Sequence, residues 1–283
     1  LAKNLFQSKG AGLLAALVYS LDSFVFVLSR ITMVDIFIAN FLILAAYFVV
    51  KYAFTRRYLY LVLSGVFCAA CASVKWSGVY ILVFFAGVSF ILIYYHEIYS
   101  REVTDGAYLS SLVRILAGLA LAFILVPMVI YIATYIPYFY FGNSIMDFLR
   151  LQGNMLDYHG GVTDPHPYRS EWWKWPIMLR PVYLYFDDAG HSVHSHIYAL
   201  GNPFIWWSGF LFFILGILEV IRKEKPALTF AVAGAVAFWL PWALSPRKIT
   251  FLYHYLPTLM FMFLIIAYYL NSIWYTRYGR SIV

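Results

Sequence analysis

Apolar runs near or above membrane-spanning length recur along this chain, separated by charged or turn-rich breaks. A hydrocarbon core about 30 Å thick needs roughly 20 mainly apolar residues in helical form. Lipid offers no partner to a bare N–H or C=O, so such runs fold as helices that satisfy their own backbone. The runs fall near 11–28, 34–51, 58–74, 78–95, 111–137, 203–221, 227–244 and 252–273. The expected fold class is an all-α integral membrane protein of about eight transmembrane helices, organised as a single multi-spanning domain over 1–283. Five spans would lie within 1–137, an outer aromatic loop at 138–202, and three spans within 203–283.

Composition supports lipid as a large part of the solvent: 63% of the residues are hydrophobic and 12% are charged, against about 25% charged in a soluble domain. A net charge of +7 in a soluble protein would point to nucleic acid. Here Lys and Arg lie between the apolar runs, which is membrane topology, and no nucleic-acid partner is expected. Cys68 and Cys71, three apart in one run, share a helix face and read as small packing residues. Leu1 to Gly10 shows neither an initiator Met nor a signal-cleavage pattern, so the chain reads as cut from something longer.

The basic residues orient the spans. With Lys3 and Lys9 cytoplasmic, alternation places Lys51, Arg56, Arg57, Arg101, Arg114, Arg222, Lys223, Lys225, Arg277 and Arg280 on the same side, as the positive-inside rule requires. The other side receives 29–35, 75–78, 138–202 and 244–250, where Arg30, Lys75, Arg247 and Lys248 run against the bias and invite a functional explanation. Stretch 138–202 is too polar to span and rich in Trp and Tyr, so it is expected to form short helices on the outer surface, with Trp172, Trp173 and Trp175 near the interface.

Five constellations carry the chemistry. Arg30 and Asp35, in Ser29-Arg30-Ile31-Thr32-Met33-Val34-Asp35, are either a reactive site at an outer mouth or an ion pair with a snorkelling arginine. Asp22, inside the first run, reads as a helix cap or break. Lys75, before Trp76-Ser77-Gly78, is either a phosphate contact or an interface anchor. His166-Pro167-Tyr168-Arg169-Ser170-Glu171-Trp172-Trp173-Lys174-Trp175-Pro176, with Arg180, suits a sugar or peptide groove and equally an aromatic belt. Asp187, Asp188, His191, His194 and His196 leave a divalent cation open, although their spacing matches no established zinc motif. Ser245-Pro246-Arg247-Lys248 followed by Phe251-Leu252-Tyr253-His254-Tyr255-Leu256-Pro257 either receives an anionic lipid headgroup or anchors a helix start.

In order and on one membrane side, these segments resemble the protein O-mannosyltransferase family across nearly the whole chain. The resemblance rests on Leu21-Asp22 through Asp35, Lys75-Trp76-Ser77-Gly78, His166-Pro167-Tyr168 with Trp172 to Pro176 and Arg180, Leu200-Gly201-Asn202-Pro203 with Trp206-Trp207, and Tyr253 to Pro257. It implies the large membrane-embedded glycosyltransferase architecture. It also implies transfer of mannose from a polyprenyl-phosphate-mannose donor to Ser or Thr hydroxyls of a protein acceptor, on the non-cytoplasmic face. Membrane lipid is a further partner, and partner membrane subunits are left open. Such a step needs a base for the hydroxyl and positive charge for the departing phosphate.

The resemblance makes Arg30 the best-matched essential cation and Asp35 a catalytic candidate. Lys75, His166, Trp172, Trp175, Arg180, Arg247 and His254 become donor or acceptor contacts, and neither a metal nor a cofactor is assigned. The family's Asp-Glu pair lies on a loop upstream of where this chain begins, and a closing span usually follows the Tyr-His-Tyr-Leu-Pro helix. A loop of about 65 residues is too short for an added β-trefoil, so the compact prokaryotic type, in a bacterial or archaeal cytoplasmic membrane, is expected. The rival reading is a non-catalytic, transferase-like subunit of a larger membrane complex. A transporter is disfavoured for want of midplane charges and inverted repeats.

Overall fold

The computed structural model describes residues 1–31, 33–101, 105–161, 166–187, 194–245 and 247–278. Its principal helices in the first half are α1 (Lys9–Leu21), α2 (Ser23–Arg30), α3 (Asp35–Thr55), α4 (Leu59–Val74), α5 (Gly78–Tyr94), α6 (Asp105–Ala120) and α7 (Val126–Ala133). In the second half come α8 (Ile145–Gly161), the strands β1 (Val182–Asp187) and β2 (Ser195–Ala199), α9 (Pro203–Arg222), α10 (Pro226–Trp239) and α11 (Leu256–Tyr278).

The fold is that of a multi-span helical membrane protein, in which the expected count of eight spans is not confirmed. Among the described residues six helical segments are long and apolar enough to cross a membrane, and α1 with α2 makes a seventh only if a bend of 61° is accepted within one span. The remaining expected span, near 58–74, is α4, which has 16 residues. At 1.5 Å per residue it reaches about 24 Å, short of a ~30 Å core.

The bend between α1 and α2 has a local cause. The buried Asp22 carboxylate accepts the Val25 N–H at 3.0 Å and so caps α2. Its other oxygen takes the Trp206 indole N–H at 2.7 Å and the Asn202 N–H at 3.3 Å. Continuing α1 through residue 22 would forfeit the bond to Val25, so an acid inside an apolar run becomes a corner.

Two compact units make up the chain: 37–149 with Leu1, and 2–36 with 150–283. In the first, Ser64 Oγ donates to the Ala45 carbonyl at 3.1 Å and Phe48 stacks on Phe67 with ring centres 5.6 Å apart. Cys68 and Cys71 are fully buried, in keeping with a packing role, and Cys71 Sγ lies 3.6 Å from the Ile38 carbonyl. The segment Leu121–Leu125 is a π turn. Pro127 has no N–H for the carbonyl four residues back, and a widened turn before it accommodates the missing bond. At one end of this unit Tyr58 Oη donates to Glu97 at 2.7 Å, with Arg114 3.8 Å from the same carboxylate. Burial first, and then Glu97, pushes the Tyr58 phenol well above its ordinary value.

In the second unit α11 is the central element, buried almost without break from Leu256 to Ala267. Gly234 of α10 lets the Phe261 ring lie where a Cβ would stand, Tyr19 of α1 meets Phe263 edge-on at 6.1 Å, and Ser8 donates to Asn271 at 2.9 Å. Stretch 138–202 also departs from the expected set of short helices. It holds the 17-residue α8, a short 3-10 turn at Trp172–Lys174 and an antiparallel hairpin of β1 with β2. The runs Val-Tyr-Leu-Tyr-Phe and His-Ile-Tyr are β-branched and aromatic, and two neighbouring segments of that kind pair more readily than either forms a helix.

Candidate functional site

The second unit gathers most of the candidate residues through the segments 166–183 and 239–255. A pair of hydrogen bonds clasps them: Ser170 N–H to the Thr250 carbonyl at 2.8 Å, and Thr250 Oγ1 to the Ser170 carbonyl at 2.7 Å. Trp239 adds a third tie, its indole N–H donating to the Trp172 carbonyl at 2.9 Å while the two rings meet edge to face at 5.7 Å. Aromatic residues in both segments thus fasten the stretch around 166–183 onto the helix ends.

Trp175 and His254 are buried rather than displayed. Trp175 has no exposed surface; its indole donates to Ser170 Oγ at 3.0 Å and its ring stacks on His254 at 6.1 Å. It is a core pillar, with Trp242 and Tyr255 also closing over it. His254 is clamped by Trp242 at 4.5 Å, and its Nδ1 lies 3.0 Å from the Phe251 amide. Trp172 is half-buried, whereas Trp173 is exposed beneath the Lys174 ammonium, 5.0 Å from the ring centre.

The exposed rim carries the charges. His166 meets Phe251 edge-on at 4.8 Å, and Phe251 stacks on Tyr253 at 5.1 Å. Arg180 donates through Nε to the Pro167 carbonyl at 3.1 Å and lies over the Tyr168 ring at 5.5 Å. Tyr253 lies within electrostatic reach of both the Asp35 carboxylate and the Arg247 guanidinium. Asp35 is buried at the first turn of α3, where the positive end of the helix dipole favours a carboxylate. Arg30, in the last turn of α2, is exposed and lies over the Phe26 ring at 5.1 Å. Glu171 pairs with Lys174, and that contact, before any other, holds its carboxyl below the ordinary value.

Tyr253 is thus the residue within electrostatic reach of both Asp35 and Arg247, with His254 next in chain and His166 reached through Phe251. Thr250 escaped the sequence reading, and Ser170, Phe251 and Tyr253 entered it only as members of longer motifs. The Tyr-His-Tyr-Leu-Pro motif contained the only available signal for Tyr253, and a Ser–Thr clasp 80 residues apart leaves none. Lys75 belongs to the other unit, at the end of α4, where its N–H bonds to the Cys71 carbonyl at 3.1 Å. The next residue, Trp76, donates to Tyr131 Oη at 3.0 Å, which is bonded in turn to Tyr135 Oη at 3.1 Å.

Among the described residues no three His, Cys, Asp or Glu side chains gather as for a metal. His196 is committed to aromatic contacts, its Nδ1 2.8 Å from Tyr183 Oη and its ring 5.2 Å from Phe186. Asp188 and His191 of that constellation, Thr32 and Pro246 of the others, and Arg280 lie outside the described residues.

Residues 1–141 match the model of dolichyl-phosphate-mannose-protein mannosyltransferase, and residues 144–282 match that of the C-terminal four-transmembrane region of protein-O-mannosyltransferase. The polyprenol-phosphate-mannose–protein mannosyltransferase of Corynebacterium glutamicum is 25% identical over 226 residues, covering 67% of this chain and 42% of its own. The protein of the same name from Mycolicibacterium smegmatis is 24% identical over 323 residues, covering 94% of this chain and 61% of its own. Dolichyl-phosphate-mannose–protein mannosyltransferase 1 of Schizosaccharomyces pombe is 29% identical over 119 residues, 35% of this chain and 12% of its own. The chain thus spans about half the length of these bacterial relatives, and no solved structure matches it significantly. Two models of one family, placed end to end, account for almost every residue: the chain belongs to the protein O-mannosyltransferase family.

Proposed function

We propose that this chain is the mannosyl-transferring part of an enzyme that moves mannose from a polyprenyl-phosphate donor to Ser or Thr hydroxyls of proteins, on the non-cytoplasmic face of a bacterial or archaeal membrane. The observation that carries the reading is the grouping of Asp35, Arg247 and Tyr253 in one unit. In the step, the acceptor oxygen bonds to C1 of mannose as the bond from C1 to the phosphate oxygen breaks. That electron pair leaves with the lipid phosphate, and the hydroxyl proton passes to a base.

In this reading Asp35 takes that proton and Arg247 meets the phosphate charge, and Tyr253 lies within electrostatic reach of both. Arg30 supplies further positive charge to the donor, while His166, Trp172 and Arg180 form the rim that receives donor sugar or acceptor peptide. His254 and Trp175 act through position, holding the Phe251–Tyr253 turn.

The test is transfer of labelled mannose from polyprenyl-phosphate-mannose to a Ser/Thr-rich peptide by membranes carrying the protein. Removing a group that meets charge only in the transition state costs on the order of 10²–10³ in rate. Arg247→Gln and Asp35→Asn are expected to lose turnover on that scale, with the protein still present at normal level. Near-normal transfer by both variants would leave the grouping without a catalytic role, and absence of transfer by the unaltered protein would favour a non-catalytic subunit.

A further inference from the structure

At the end of α9 opposite Asn202, Glu219 accepts hydrogen bonds from two phenols of α11, Tyr268 at 3.2 Å and Tyr269 at 3.0 Å. Arg222 and Lys223 follow at i+3 and i+4, the positions from which a cation ordinarily pairs with an acid on the same helix. Among the described residues neither forms an ion pair; the carboxylate is taken up by the tyrosines and both cations stay exposed. They border a cavity of about 330 Å³ whose other walls are Leu215, Leu218, Glu219 and Tyr269.

An apolar track leads into it. Leu211, Leu215 and Leu218 are exposed at i, i+4 and i+7, on the face of α9 that ends at Arg222. Two exposed cations without an ion pair, at the end of an exposed apolar stripe, have the charge and the amphipathic outline of one occupant. We propose that this cavity binds the headgroup of an anionic phospholipid, its phosphate between Arg222 and Lys223 and one acyl chain along Leu211, Leu215 and Leu218. A free phosphate would use the cations alone and gain nothing from the leucines. The cavity lies at the Arg222 end of α9, a full helix length from Asn202 at its start.

The experiment measures binding of dioleoyl phosphatidylglycerol to the purified chain in neutral detergent, beside phosphatidylcholine and inorganic phosphate, by native mass spectrometry and by the shift in unfolding temperature. Phosphatidylglycerol is expected to bind and stabilise, with phosphatidylcholine and inorganic phosphate without effect. Each cation contributes about fivefold in affinity, the equivalent of ~1 kcal/mol near a charged surface. The double variant Arg222→Gln, Lys223→Gln should therefore bind about 25-fold more weakly, and Lys225→Gln, outside the cavity, within twofold of the parent.

Glu219→Gln tests the site without depending on the folding of that double variant. It keeps the side-chain size and an acceptor for the tyrosines while removing the adjacent negative charge, so phosphatidylglycerol should bind about fivefold more tightly. Unchanged affinity in both the double variant and Glu219→Gln overturns the proposal. Displacement of phosphatidylglycerol by an equal concentration of inorganic phosphate also overturns it.

Discussion

Asp22 is where one residue decides local structure. Its carboxylate serves three N–H donors from two parts of the second unit, so removal of a single donor leaves a buried acid short of a bond. Trp206→Phe keeps the ring that meets Phe24 and Tyr255 and deletes only the indole N–H. It is expected to cost about 1–3 kcal/mol, the penalty for an unsatisfied buried partner, read as a lowered unfolding temperature in detergent. A second residue-scale prediction concerns Glu171, whose carboxyl Lys174 holds below its ordinary value of 4.5. A depressed carboxylate gives stability that is present above the ordinary value and lost as pH falls through the lowered one. The tryptophan fluorescence of the 172–174 turn should therefore stay constant near neutral pH and change only as pH falls below the ordinary carboxylate value; Glu171→Gln should abolish that transition. If the unaltered chain and Glu171→Gln titrate alike, the pair does not hold the turn. Asp22 was legible as a cap because an acid inside an apolar run has few other options. The burial of Trp175 and His254 was not, since an aromatic belt and an aromatic core share the same composition and differ only in what covers them.

Elements were legible where hydrophobicity alone decides them. The starts of α3, α5, α9 and α10 fall within one residue of the apolar runs that mark them. The hairpin was not, because pairing β1 with β2 depends on register across the segment between them, and the aromatic richness that favours strands also favours an interfacial helix. Nor does hydropathy reveal how closely helices approach. At Gly65 of α4 an added Cβ would fall on the Ala122 carbonyl oxygen at the edge of the π turn, so the two backbones touch only because this residue has no side chain. Gly65→Ala must push α4 from its neighbour, and overpacking of this kind costs about 1–3 kcal/mol. Gly87→Ala, with open space around its Cβ position, is the matched control. Equal unfolding temperatures for the two variants would mean that the contact is not close in the membrane.

For the molecule as a whole, alternation of spans assigned Lys225 and Lys248 to opposite sides of the bilayer, and the geometry of α10 provides the physical basis. The candidate span Pro226–Ala243 has 18 residues and lies between these two lysines. At 1.5 Å per residue it covers about 27 Å, close to the ~30 Å hydrocarbon core, so its ends are placed to reach opposite interfaces. Both lysines are exposed, whereas the native Cys68 and Cys71 are fully buried and give little background to a thiol reagent. Lys225→Cys and Lys248→Cys, made separately, are therefore expected to differ in sealed cells. A membrane-impermeant maleimide should label position 248 from outside and should reach position 225 only after the membrane is permeabilised. The same pattern would place Arg247, one residue from Lys248, on the non-cytoplasmic face on which the transfer reaction is proposed. It would also place the Arg222–Lys223 cavity on the cytoplasmic face. Labelling of both positions from one side would mean that Pro226–Ala243 returns without crossing, and the assignment of the charged rim to the outer surface would fall with it.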